Sequence, residues 1–271
     1  MNKKIILVAV VIMLGVGYYV VQNYQLTAPV APPVSQVDAF SVDDLNITPV
    51  SHASFAMQFD DTLLFNDPAA EYEQFLALGT PDIILVSDVH GDHLSVEMLN
   101  GLIGEETTII APEVVDNELN QSLLMYTQVL ANGQTLLVND IVIEAMPMYN
   151  LPEQGIEIRH EKGQGNGYLL EYKGLRVYIA GDTAAIPELL ALEDIDVAFI
   201  PMNLPYTMSV ADAAAAVAQF APATVYPYHY RTPDGFSDVG EFKTLVETAN
   251  PNVEVVLLDW YDGMAPLEGS D

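Results

Sequence analysis

The chain has 271 residues, 51% of them hydrophobic, and sets 38 Asp and Glu against 8 Lys and Arg for a formal charge of -30. That acidity repels phosphate backbones and excludes nucleic acid as a partner, while the apolar fraction suffices for the core of one or two domains. With no cysteine, disulfides, zinc–thiolate sites and thiol catalysis are excluded too.

Lys3 and Lys4 precede IILVAVVIMLGVGYYVV, residues 5–21, an apolar run at the short limit of a membrane span. Positive charge ahead of it places the N-terminus in the cytoplasm. Two readings stay open: an uncleaved inner-membrane anchor with the rest outside the cytoplasm, or the signal peptide of an exported, periplasmic protein. Residues 1–22 are assigned to this segment and 23–44, with TAPVAPPVSQ, to an extended Pro-rich linker. The folded domain is expected over 45–271.

Within it, SFAMQF and TLLF flank Asp60 and Asp61 as a hairpin. DIILVS, 82–87, is a buried strand, followed by a short helix capped by Ser95 and a further strand, TTIIAP. QTLLV and IVIEAMPMY form a second hairpin across Asn139 and Asp140; Met146 and Met148 read as core. GYLLEY and LRVYIAG form a third across Lys173 and Gly174. DVAFIPM is a strand, and a helix capped by Ser209 follows it. TVYPYHY is a strand whose Pro227 points to an edge or a strand end. An amphipathic helix, DVGEFKTLVETA, and a last strand, VEVVLLD, close the domain. Hairpins first and strand–helix alternation later predict two packed sheets with helices outside.

The chemistry sits at strand ends. SDVHGDH places Asp88, His90, Asp92 and His93 after the 82–87 strand. Alternate residues of an extended stretch share a side, so Asp88, His90 and Asp92 are expected to converge, with His93 added by the turn. VYIAGDT delivers Asp182 and TVYPYHY delivers His229 in the same way. Imidazole and carboxylate suit zinc, manganese and iron. A lone capping Asp or core His is unremarkable; three such strand ends together point to a metal site.

These segments resemble the metallo-β-lactamase-fold hydrolases. The resemblance runs from about residue 45 to about 260, through SHASFAMQF, FNDP, ILVSDVHGDHLS, AMPMYN, RHEKGQGNGYLLEYKGLRVYIAGDT, DIDVAFIPMNLPYTMS and YPYHYR in that order. It implies an α/β fold, an αββα sandwich of two mixed β-sheets flanked by helices, with metal at one rim. The family's H-x-H-x-D-H motif falls on Asp88, His90, Asp92 and His93, its bridging aspartate on Asp182 and its last histidine on His229. Two departures stand out: Asp88 replaces the first histidine, and Asn150 stands where another histidine is usual. His160 is the candidate to replace the missing ligand. His52, in SHASF, matches an early histidine of the family and reads as structural.

The implied activity is that of a metal-dependent hydrolase acting on an ester, amide, lactone or phosphodiester bond through a metal-activated water, with Asp92 orienting that water. The cofactor is expected to be Zn2+, one or two ions, with Mn2+ or Fe2+ as competitors, because the added carboxylate favours harder ions. The alternative is a metal-binding or interaction protein of the same fold with little turnover, motivated by Asp88 and Asn150. The scarce cations Arg159, Lys162 and Arg231, with Asn150 and Tyr206, are candidates for binding a small-molecule substrate. That substrate is expected to be anionic, or lipid-derived if the anchor holds the site near a bilayer.

Overall fold

The structure is a computed structural model that describes residues 39–152 and 158–261. The segment expected over 1–22, and most of the linker expected over 23–44, lie outside the described residues. At the linker's end Phe40 is already buried, its ring centroid 5.9 Å from Phe59 and 5.2 Å from Tyr172. No helix among the described residues is long and apolar enough to cross a membrane. The expected membrane partner, through an N-terminal transmembrane helix, is therefore not upheld. The lipid-derived substrate, argued mainly from that anchor, loses that ground.

Two mixed sheets make up the domain. The first runs in chain order through β1 (Asn46–Ser51), β2 (Ser54–Phe59), β3 (Thr62–Asn66), β4 (Ile83–Leu85), β5 (Thr108–Ala111) and β6 (Thr127–Val129). The second contains β7 (Thr135–Val138), β8 (Ile141–Met148), β9 (Gly165–Tyr172), β10 (Leu175–Ile179), β11 (Val197–Pro201) and β12 (Thr224–Tyr228). In it, β7 to β12 lie in chain order, and β15 (Glu254–Val255) adds to the free side of β12. A small hairpin, β13 (Arg231–Thr232) and β14 (Gly235–Phe236), stands apart.

The period of two in the central strands explains the layering. Ile83 and Leu85 face the core shared with the second sheet, where they meet Tyr168, Leu170 and Val177. Ile84 and Val86 face the opposite way, onto Phe75, Met98 and Leu99 of helices α1 (Tyr72–Leu78) and α2 (Val96–Leu102). A strand buried on both faces reads as an unbroken apolar run, as 82–87 does. Two longer helices, α6 (Val210–Phe220) and α7 (Val239–Ala249), join the second sheet's core through Val217, Phe220, Phe242 and Val246. Short helices α3 (Glu113–Asp116), α4 (Gln121–Leu124) and α5 (Pro187–Leu190) fill connections. This is the αββα sandwich expected. Met148 is buried as core, while Met146 is only partly so.

The turns follow local chemistry. Asn139 and Asp140 have φ of 49° and 63°, the left-handed pair that a tight two-residue hairpin requires. Ser95 and Ser209 cap their helices, accepting from the backbone N–H of Met98 and of Asp212.

Candidate metal centre

β4 ends two residues before Ser87, and the chain then turns instead of staying extended: the N–H groups of His93 and Leu94 both donate to His90 O at 2.9 Å. The turn separates side chains that an extended segment would hold together. Asp88 and His90 contact each other through Oδ2 and Nδ1 on one side, with His160 Nε2 3.3 Å from the same Asp88 oxygen. Asp92 faces the other way, its Oδ2 3.3 Å from His52 Nε2 and 3.5 Å from His229 Nε2. The expected convergence of Asp88, His90 and Asp92 is thus divided into two neighbouring groups.

Asp182 lies between them. It follows Gly181, whose φ of 64° suits glycine and whose N–H donates to the Tyr228 hydroxyl at 3.0 Å. Its Oδ1 is 3.2 Å from His229 Nε2, and its Oδ2 is 3.5 Å from His93 Nε2 and 3.6 Å from His160 Nε2. His93 and His229 face each other, Nε2 to Nε2, at 3.3 Å. Three donor sets emerge: His93, Asp182 and His229; Asp88, His90 and His160; and His52, Asp92 and His229.

The donor geometry fits a divalent ion. Ligands about 2.0–2.1 Å from a tetrahedral zinc stand roughly 3.3–3.4 Å apart. With each histidine taken to the Asp182 oxygen it faces, the separations among His93, Asp182 and His229 run from 3.2 to 3.5 Å, near that spacing. Asp182 Oδ1 is also buried with no hydrogen-bond partner, an exposed demand for positive charge.

Outer contacts fix the imidazoles. Asp67 Oδ2 meets His93 Nδ1 at 2.8 Å, and the carboxylate also accepts from Ser87 N–H at 2.7 Å and Ser87 Oγ–H at 2.6 Å. The Nδ1 proton of His93 is thereby fixed and Nε2 is left facing the centre, the arrangement by which a carboxylate orients a metal-binding histidine. Asn150 does the same for His160: Oδ1 stands 3.1 Å from its Nδ1 and accepts its backbone N–H, while Nδ2 donates to Tyr206 O at 2.8 Å. Asn150 thus supports His160 from behind and is not among the residues that line the cavity over the centre.

The electrostatics agree. Burial opposes ionisation of Asp88, but hydrogen bonds from His160 and His90 outweigh it and hold the carboxyl below its usual range. Asp182 is likewise buried, and His229 and His93 overcome that burial to keep it ionised. Burial also disfavours the His93 imidazolium, yet Asp182 and Asp67 raise its pKa well above the ordinary value. Burial and the neighbouring His229 push His52 down to about 4.

A cavity of about 240 Å³ opens over the centre, lined by His90, Asp92, Arg159, His160, Asp182, Asn203 and Tyr206. The Arg159 guanidinium lies 4.9 Å from the centroid of the Tyr206 ring. Lys162 stands away from this cavity, paired with Glu188 at 2.5 Å beside Tyr149. Arg231 is exposed and leans on Tyr261, its guanidinium 5.9 Å from the ring centroid. Asp67, Asn203 and Tyr261 were not singled out from sequence. The FNDP segment carried the trace of the first, a carboxylate at a strand end.

The Beta-lactamase superfamily domain matches residues 46–229. A UPF0173 metal-dependent hydrolase of Thermococcus onnurineus is 30% identical over 207 residues, covering 73% of this chain and 87% of the relative. Another of that name, from Archaeoglobus fulgidus, is 29% identical over 236 residues, covering 79% of this chain and 96% of the relative. The crystal structure of a protein from Parabacteroides distasonis, assigned as a metal-dependent hydrolase, is 36% identical with a TM-score of 0.68, covering 81% of this chain and 96% of that one. The archaeal relative is thus matched over almost its whole length. With no spanning helix among the described residues, the inner-membrane, signal-peptide and periplasmic expectations are not upheld there.

Proposed function

The chain belongs to the β-lactamase superfamily and, within it, to the UPF0173 metal-dependent hydrolases; on that premise we propose that it hydrolyses an ester, amide, lactone or phosphodiester with two divalent ions. The observation that carries this reading is Asp182, whose two oxygens face His229 on one side and both His93 and His160 on the other. One position would use His93, Asp182, His229 and Asp92, and the other Asp88, His90, His160 and Asp182. The imidazole-rich donors favour zinc, with Mn2+ and Fe2+ as competitors that the carboxylates also accept.

Bound there, a divalent ion supplies Lewis acidity and lowers the pKa of a water molecule. The remaining work falls to side chains. Asp92 is part-exposed on the cavity wall and ionised, so it can orient the attacking water and take its proton. Arg159 and Tyr206 form a cationic and aromatic wall suited to a carboxylate or phosphate on the substrate. In a chain of charge -30, a cation at the cavity is a selective feature.

The test is metal quantification on purified and reconstituted protein, paired with chromogenic esters, lactones and phosphodiesters. Two equivalents of bound ion and turnover that disappears on chelation support the reading. Protein that retains no ion after reconstitution, or bound ion without turnover on any substrate, overturns it.

A further inference from the structure

The family match ends at His229, yet Tyr261, well beyond it, reaches back to the centre. Tyr261 is buried, and its hydroxyl lies 2.7 Å from His52 Nδ1. The same oxygen accepts the backbone N–H of Arg231 at 3.2 Å. His52 Nε2 is 3.3 Å from Asp92 Oδ2, and its ring lies against His229 with centroids 3.7 Å apart. His52 O accepts the backbone N–H of His229 at 3.2 Å. Both histidines have positive φ, 57° and 48°, a conformation that side chains other than glycine rarely adopt. Such backbone is retained where the surroundings enforce it, often at a functional site.

These contacts fix where the protons are. A phenol has one hydrogen to give. Its oxygen already accepts from Arg231, and His52 Nδ1 is its one acceptor among the described residues, so the O–H points there. The imidazole proton then sits on Nε2, facing a carboxylate that can only accept. The opposite tautomer would aim a lone pair at that carboxylate. An Nε2 carrying a proton has no lone pair for a metal, although this nitrogen lies among donors close enough to share one.

We propose that His52 is a positioning residue whose tautomer is locked by Tyr261 and whose Nε2–H holds Asp92 Oδ2, so that the C-terminal segment sets the aim of Asp92 at the His93–Asp182–His229 position. This rests on the reading of that position as a metal centre. It separates His52 from the ligands and gives a role to a residue outside the family match.

The test uses the full chain carrying His52→Ala, His52→Gln or Tyr261→Phe. Co2+ affinity is measured by chelator competition, with the visible Co2+ spectrum as a second readout. His52→Ala should weaken one of the bound ions about 10–100-fold and change the spectrum. Tyr261→Phe should act in the same direction but less. His52→Gln should restore affinity, because its amide nitrogen replaces Nε2–H as donor. Nitrogen NMR should place the wild-type His52 proton on Nε2 and show mixed tautomers in Tyr261→Phe. If His52→Gln loses Co2+ as His52→Ala does, His52 is a ligand and the proposal fails. It also fails if affinity and spectrum stay unchanged in Tyr261→Phe and His52→Ala while thermal stability falls. Should His52→Ala not fold, Tyr261→Phe and His52→Gln decide alone. A wild-type protein that takes up no Co2+ overturns the metal reading itself, an outcome distinct from uptake that the variants do not alter.

Discussion

Asn150→Ala separates support from ligation. The Asn150 Oδ1 accepts the backbone N–H of Arg159 at 3.0 Å and of His160 at 3.1 Å, and it faces His160 Nδ1 at 3.1 Å. Its Nδ2 donates to Tyr206 O at 2.8 Å, and the whole residue is buried. Alanine leaves these partners unpaired. Water can reach the exposed Arg159, so the penalty falls chiefly on His160 and the Tyr206 carbonyl. At about 1–3 kcal/mol for each buried group left unsatisfied, the fold should lose roughly 2–5 kcal/mol. His160 would also lose its orientation, and affinity at the Asp88–His90–His160 position should fall about 10–100-fold. Asn150→Asp is the control, since it keeps every acceptor but turns an oxygen toward Tyr206 O. It should lose stability while holding metal. Urea denaturation and chelator competition measure the two effects. An Asn150→Ala protein with wild-type stability and affinity, or an Asn150→Asp protein that loses metal as Asn150→Ala does, would refute the reasoning.

Asp182→Asn should weaken both ions, because its carboxylate faces both groups; metal analysis after dialysis that shows one ion fully retained would contradict a bridging role. Asp67→Asn presents an N–H to His93 Nδ1 and forces the proton to Nε2, so metal affinity should drop about 10–100-fold in the same competition assay. Arg159→Ala should raise KM for anionic substrates more than for neutral ones, whereas Arg231→Ala, outside the cavity lining, should change neither; steady-state kinetics on a matched pair decides. The pH dependence follows from His93. Its pKa in the apo protein lies well above the ordinary 6.5, so its protonated form stabilises the apo fold below that ordinary value, and this stabilisation is lost as pH rises through the raised one. A metal must displace that proton, so its stabilising effect should grow as pH rises from the ordinary value through the raised one, read as the rise in Tm on adding metal.

Much of the fold was legible because its strands are long, apolar and bounded by turn residues. The hairpins across Asp60, Asn139 and Lys173 fall where Asp, Asn and Lys-Gly allow positive φ. Pro227 shows how an edge signal can hold for part of a strand. β12 lies between β11 and β15, but β15 pairs only with Thr224 and Val225, so one side is free where Pro227 lacks its N–H. The first helix, Tyr72–Leu78, carried no cap signal: Glu71 precedes it with φ of 56° and makes no side-chain cap. The hairpin of β13 and β14 is two residues on each side, too short for any periodicity to appear.

The site was legible only in what strand ends can say. A carboxylate or imidazole just after an apolar strand announces a position on the rim, and that rule found Asp88, His93, Asp182 and His229. It could not say which way each side chain turns. Alternation assumes extended backbone, and the turn at His90 divided Asp88 from Asp92. Nor could local pattern reveal contacts distant in sequence. His52 as an isolated histidine reads as structural, and only Tyr261, 209 residues away, fixes its tautomer. Asn150 read alone is a missing ligand. Beside His160 it becomes the group that fixes that imidazole, and on the reading proposed above His160 supplies the donor that Asn150 does not. Substituting a ligand in such a centre thus requires a matching change in its outer contacts, because an imidazole without a fixed tautomer offers a metal no dependable lone pair.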